Sequence, residues 1–187
     1  MNRVFHPYLD KFVVVFIDDI LIYSKLREDH QEHLRTVLST LAEHKLYAKL
    51  KKCDFWMEEV HFLGHIISKD GISVDPTKVA STEGWPRTTT VTEVRSFLSM
   101  ASYYRRFVMD FSRIALPLTR LFRKDHKFEW TAECESSSQE LKQRLTTALV
   151  LAIPKGNDEY VVYNDASRQG LGCVLMQHGR VIAYASR

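Results

Sequence analysis

Phe12-Val13-Val14-Val15-Phe16-Ile17-Asp18-Asp19-Ile20-Leu21-Ile22-Tyr23 decides how the rest of the chain is read. Both flanks are rich in β-branched and aromatic residues, the composition of buried strand. Asp18 and Asp19 fall at the bend between the two runs. Two like charges set side by side against apolar strands are costly unless something positive holds them. The usual remedy is a hard divalent cation such as Mg²⁺, which takes oxygen ligands.

Three readings are open for this pair. Aspartate is common in solvated hairpin turns, so the carboxylates can be turn residues and nothing more. Paired acids also occur in phosphoacceptor pockets at the end of a parallel strand. Such a pocket wants a helix next, whereas Ile20-Leu21-Ile22-Tyr23 continues as strand, so the pattern disfavours it. The third reading is a metal-binding strand–turn–strand of the two-metal kind. The local pattern does not choose between the first and the third.

The chain has 187 residues, 45% hydrophobic and 26% charged, an ordinary globular composition for one sizeable domain or two small ones. No stretch is long and apolar enough for a membrane span. The opening Met1-Asn2-Arg3-Val4-Phe5-His6-Pro7 lacks the apolar core of a secretory signal. Cys53, Cys134 and Cys173 are far apart and lack metal-ligand spacing, which suits an intracellular, reduced protein. Net charge is +3, but between Val91 and Trp130 eight Lys/Arg face four acids, a local excess of +4 with aromatics interleaved. Arg95, Arg105, Arg106 and Lys124 belong to this set, with Asp125 among the acids. Such a patch suits a phosphate backbone, and an ordinary solvated basic face is the alternative.

After the hairpin, Asp29 is placed to cap a helix reaching residue 46, with Leu34, Val37, Leu38 and Leu41 on its apolar face. His30, His33 and His44 lie on or near it and read as solvated histidines, since no cysteine or acid completes a zinc set. Residues 60–68 read as a strand in which Gly64 allows a bulge or a close backbone approach. A turn at Lys69-Asp70 leads to a short returning strand, Ile72-Ser73-Val74. Asp75-Pro76 reads as an N-cap with proline at the first helical position. Further helices are expected over 92–110, with Val94, Phe97, Leu98, Ala101 and Tyr104 on one face, over 114–122, and from a Thr131 cap to 145. Three strands follow, at 159–167, 170–177 and 180–185. They leave the chain ending with nothing to pack on the last sheet, so it looks cut at its C-terminus and opens abruptly at its N-terminus.

The order of these segments resembles the Pol polyprotein of gypsy-type LTR retrotransposons. Phe16-Ile17-Asp18-Asp19 matches that family's aromatic-x-Asp-Asp turn, and Phe62-Leu63-Gly64-His65-Ile66-Ile67-Ser68 its primer-grip hairpin. Trp85-Pro86-Arg87, Val94-Arg95-Ser96-Phe97-Leu98 and Tyr103-Tyr104-Arg105-Arg106-Phe107 match its thumb. Tyr163-Asn164-Asp165-Ala166-Ser167 with Gly170-Leu171-Gly172 matches the opening of its RNase H domain.

The resemblance implies an α+β fold in three parts. Residues 1–74 would be the end of a reverse transcriptase palm, 75–150 a helical thumb and connector, and 151–187 the first three antiparallel strands of a truncated RNase H-like domain. It implies RNA-directed DNA synthesis by two-Mg²⁺ nucleotidyl transfer, with cleavage of RNA in RNA–DNA hybrids by the attached domain. Asp18 would be the principal metal ligand here, Asp19 its neighbour, and Asp165 the first carboxylate of the second metal site. Phe16 and Ile17 would line the floor beside the incoming nucleotide. Lys52, or its neighbour Lys51, would approach the triphosphate. Gly64 and His65 would place the primer end. Arg95, Arg105 and Arg106 would contact backbone phosphates without reading sequence. Implied partners are RNA template, DNA primer, hybrid, dNTPs and the remainder of Pol, in a cytoplasmic particle or nucleus, with no membrane. Because the family draws further carboxylates from beyond both ends, this chain made alone is expected to polymerise and cleave nothing. An inactive relic or a co-opted nucleic-acid-binding remnant is the alternative.

Several positions depart from the family's pattern. Thr88 and Leu149 stand where prolines are expected, and Ser99 and Ser102 where glycines are, with crowding of the thumb helix as a possible result. Ser138 replaces an aromatic, and losing a buried aromatic costs about 3–5 kcal/mol.

Overall fold

The computed structural model describes residues 1–85, 87–123, 127–156, 158–167 and 170–187, without the side chains of 81–83 and 167. Pro86, Lys124 and Asp125, used in the sequence reading, lie outside the described residues. The chain forms two compact units, Met1–Met57 and Glu58–Arg187.

The first unit is small. A short helix α1 (Asn2–Phe5) leads to the antiparallel hairpin β1 (Val13–Phe16) and β2 (Asp19–Ile22), and helix α2 (Arg27–Glu43) covers it. Phe5, Val13, Val37 and Leu41 form the buried centre. Each such side chain contributes roughly 1.5–3 kcal/mol when removed from water. Two details of the helix differ from expectation. Leu26 holds the N-cap position, and Asp29 sits in the first turn beside Glu28, where a carboxylate favours the positive end of the helix dipole. Leu38 is exposed, since the buried stripe runs through Val37, Thr40 and Leu41 instead.

The second unit joins two three-stranded sheets to a helical core. Residues 60–68, one strand by their own pattern and a hairpin at 62–68 by the resemblance, are a hairpin. β3 (Glu59–Phe62) and β4 (His65–Ser68) pair antiparallel around Leu63-Gly64, whose φ values of 52° and 72° are both left-handed, as the tightest hairpin turns require. β5 (Gly71–Val74) completes this sheet. Helix α3 (Pro76–Glu83) follows.

Helix α4 (Val91–Tyr103) buries Val94, Phe97, Leu98 and Ala101, the expected face, with Tyr104 buried just beyond its end. It starts earlier than expected because Thr90 and Glu93 form a capping box. Thr90 Oγ1 accepts from Glu93 N at 3.2 Å, and Glu93 accepts in return from the Thr90 amide. It ends earlier because a 3₁₀ turn, Arg105–Phe107, intervenes before helix α5 (Phe111–Arg120). Helix α6 (Ala132–Thr146) is capped by Thr131, as its sequence predicts.

β6 (Val161–Ser167), β7 (Gly170–Gln177) and β8 (Arg180–Ser186) form an antiparallel meander in that order. This sheet is bare at β6, where Val161, Val162 and Tyr163 are exposed, and covered at β8. Val181 and Tyr184 of β8 pack on the helical core, and Ser112 donates twice to Ser186 at 2.9 Å, from its amide to Oγ and from its hydroxyl to the carbonyl oxygen. The connector holds both sheets: Leu151 bridges Ile72 of β5 through two 2.8 Å bonds, and the Ala152 amide donates to Val181 O at 2.7 Å.

The departures from the family's pattern have different consequences here. Ser99 and Ser102 are exposed, so neither crowds helix packing. Ser138 is buried on the core face of α6, beside Cys134 and Leu141. Thr88 is buried, and among the described residues its hydroxyl has no hydrogen-bond partner. A buried orphan hydroxyl carries its full desolvation cost. Thr88→Val, which keeps the shape and removes that group, should raise unfolding free energy by about 1 kcal/mol in a denaturant melt.

Candidate functional site

Asp18 and Asp19 do not share the bend. The turn between Phe16 and Asp19 consists of Ile17 and Asp18, and Asp19 is the first residue of β2, paired with Phe16. Both carboxylates are exposed, so the desolvation cost expected of a pair held against buried strands does not arise. The strain lies in the backbone instead. Ile17 adopts φ 51°, a left-handed conformation that costs a β-branched residue about 1–2 kcal/mol. Its side chain is 73% exposed and that of Phe16 49%, so two large apolar groups stand in solvent beside two carboxylates.

Among the described residues no group of three His, Cys, Asp or Glu could hold a metal ion by itself. The donor type nonetheless fits Mg²⁺, which is commonly bound by one or two carboxylates with substrate phosphates supplying the rest. Lys52 lies in the 3₁₀ turn Leu50–Lys52 of the same unit and is exposed.

His30 and His33 are partly buried rather than solvated. Ser24 Oγ lies 3.1 Å from His30 Nδ1 and 2.7 Å from His33 Nδ1, and the His33 ring stacks on Phe12 at 3.9 Å. Burial, and then the neighbouring His33, lower the His30 pKa. A seryl hydroxyl donates one hydrogen only, so when both rings are neutral one imidazole must donate to Ser24 and the other accept from it.

In the second unit, Gly64 and His65 sit at the β3–β4 turn. A side chain on Gly64 would come 2.6 Å from Tyr104 Oη, so close approach as well as the positive φ requires glycine. Tyr103 Oη donates to Leu63 O at 2.7 Å, and Tyr104 Oη donates to Gly64 O at 3.2 Å. The His65 ring lies within 6 Å of the rings of Tyr103, Tyr104 and Phe107. Burial is the largest influence on His65 and lowers its pKa. Its backbone hydrogen bonds oppose that effect, and the Arg106 charge adds to it.

Arg105 and Arg106 are exposed in the 3₁₀ turn that follows. Arg95 is exposed on α4 with its guanidinium 5.5 Å from the Phe122 ring centre. Asp165 lies on β6 opposite Gly172, also exposed. The two tyrosines were visible in the sequence as neighbours of a basic pair, but their hold on a turn forty residues earlier was not.

Behind that turn, Asp75 accepts from His61 Nδ1 at 3.0 Å and from the Thr77 amide and hydroxyl at 2.9 and 2.7 Å. His61, then Thr77, hold its carboxyl at about 2, below the ordinary 3.8. A carboxyl whose pKa is lowered by folding stabilises the fold above the unfolded pKa and loses that contribution as pH falls through the folded one. The stability difference between the native chain and Asp75→Asn should therefore be full above about pH 3.8 and shrink toward pH 2, read from denaturant melts across that range.

Residues 1–67 match the family model for reverse transcriptase (RNA-dependent DNA polymerase), and residues 130–187 that for the RNase H-like domain found in reverse transcriptase. Over its whole length the chain is 35% identical to the retrovirus-related Pol polyproteins of transposons 297 and gypsy from Drosophila melanogaster. The chain belongs to the gypsy-type retrotransposon Pol family. It spans 18% of the 297 polyprotein and 19% of the gypsy polyprotein. The structure of the foamy viral protease–reverse transcriptase in complex with RNA/DNA hybrid superposes on all of this Pol segment with a TM-score of 0.84 at 26% identity, and the segment covers 26% of that chain. The α+β fold expected from the resemblance is thus found, and among its described residues no helix is long and apolar enough to cross a membrane.

Proposed function

We propose that this segment contributes the metal-binding hairpin, the primer-placing turn and the thumb of an RNA-directed DNA polymerase, and the first metal ligand of its RNase H. The observation that carries the reading is the exposed Asp18–Asp19 pair on a strained two-residue hairpin turn, within the stretch that matches reverse transcriptase. Bound Mg²⁺ would supply Lewis-acid polarisation of the triphosphate and a lowered pKa for the primer hydroxyl.

The chain's own residues do the rest. Asp18 and Asp19 hold the charge at the turn. Phe16 and Ile17 offer the apolar floor for the nucleotide, and Lys52 a positive charge for its phosphates. Gly64 and His65 fix the primer end, where a small displacement costs much rate. Arg95, Arg105 and Arg106 hold backbone phosphates on template–primer or hybrid. Asp165 opens the second metal site. The remaining ligands and the nucleotide-closing elements come from the rest of Pol, in a cytoplasmic particle or the nucleus.

Buried Ser138 and the orphaned Thr88 hydroxyl favour a second reading, a weakened relic or binding remnant without catalysis.

A labelled RNA–DNA hybrid titrated with the 187-residue chain, at several salt concentrations and then with dNTPs and Mg²⁺, tests the assignment. The chain alone should bind with an affinity that falls steeply with salt, and extend nothing, while a Pol polypeptide containing it extends the primer. Binding without extension by that polypeptide selects the remnant. Absence of binding rejects the thumb assignment.

A further inference from the structure

We infer that Tyr103 and Tyr104 are positioning residues that clamp the Leu63-Gly64 turn onto the end of α4. The clamp rests on the reading of that turn as the element that places the primer. Both turn carbonyls are doubly occupied. Leu63 O accepts from Tyr103 Oη at 2.7 Å and lies 2.8 Å from His65 Nδ1, which donates to it when that nitrogen carries the ring hydrogen. Gly64 O accepts from Tyr104 Oη at 3.2 Å and from the Asp75 amide at 3.0 Å.

An ordinary hairpin turn leaves its carbonyls to water. Here four donors from three separate elements converge on two carbonyls, and the rings that carry two of them pack on His65 and on each other. Tyr103 stands out because it is 55% exposed. A tyrosine that is mostly in solvent contributes little to core packing, so its fixed hydroxyl serves the turn. Tyr104 is buried and has a second function in the core. Tyr103→Phe therefore separates the clamp from packing, since it removes one hydroxyl that faces a turn and nothing else.

The first test uses the 187-residue chain and requires no activity. Amide hydrogen exchange over residues 62–65 should accelerate about ten-fold in Tyr103→Phe, with the melting temperature little changed, because local opening is freed without touching the core. Tyr104→Phe should show less acceleration, because the bond it removes is the longer one, 3.2 Å against 2.7 Å. Unchanged exchange in Tyr103→Phe overturns the clamp whatever the chain's activity.

The second test places Tyr103→Phe in the Pol polypeptide and measures single-turnover nucleotide addition against template–primer affinity. Positioning predicts a rate lowered about ten-fold at an affinity within about two-fold. An unchanged rate, or a parallel loss of rate and affinity, overturns the positioning role. A parent polypeptide without polymerase activity refutes the functional reading instead, and the exchange result still decides the clamp.

Discussion

Asp18→Asn should lower single-nucleotide incorporation by the Pol polypeptide about 1,000-fold or more and leave its melting temperature nearly unchanged. A 1,000-fold loss corresponds to about 4 kcal/mol of transition-state stabilisation, the scale expected when a metal-holding charge is removed. The fold tolerates the exchange because Asp18 is exposed in a two-residue turn where asparagine is equally at home. Asp19→Asn should cost less rate, because the resemblance assigns Asp18 the principal role. Binding of Mn²⁺, followed by its effect on water proton relaxation, should weaken in parallel in the presence of dNTP. Normal incorporation by Asp18→Asn would remove this residue from the chemistry and leave the hairpin as a solvated turn.

Gly71→Ala should be the most damaging of the glycine-to-alanine changes. A Cβ at Gly71 would lie 2.1 Å from Leu151 O and 2.8 Å from a methyl of Val150, on a backbone with φ 143° that L side chains rarely adopt. Leu151 cannot retreat, because its amide and carbonyl are both committed to Ile72. Strain and the lost bridge together should cost about 3–5 kcal/mol of unfolding free energy. Gly179→Ala is the control. It shares a positive φ of 71° but meets nothing within 4 Å, so only the backbone penalty of about 1 kcal/mol applies. Equal melts for the two variants would show that the Leu151 bridge does not form in solution.

What the sequence made legible follows from periodicity and from residues whose side chains act locally. The apolar face of α4 and the Thr131 cap are properties of consecutive residues, and both are found where expected. The Thr90-Val91-Thr92-Glu93 capping box is equally local, and it starts α4 one residue ahead of the apolar pattern. The break at Leu63-Gly64 is absent from the local pattern because leucine in a left-handed conformation carries no sequence mark, and only Gly64 and the resemblance point to it. The hold of Tyr103 and Tyr104 on that turn, and the packing of β8 on the helical core, depend on partners forty or more residues away. At the acidic hairpin the residue types were readable, but the one-residue offset that puts Asp18 in the turn and Asp19 in the strand was not.

The Leu151–Ala152 step is hydrogen-bonded to β5 on one side and β8 on the other, so consecutive residues tie the two sheets of the second unit together. Under the proposed function, the turn at Leu63-Gly64 and the strand bearing Asp165 are then two marks on one ruler. A duplex lying along it would be measured in base pairs. RNA cuts directed by the primer end would fall at one set spacing from it, whereas a flexible tether would scatter them.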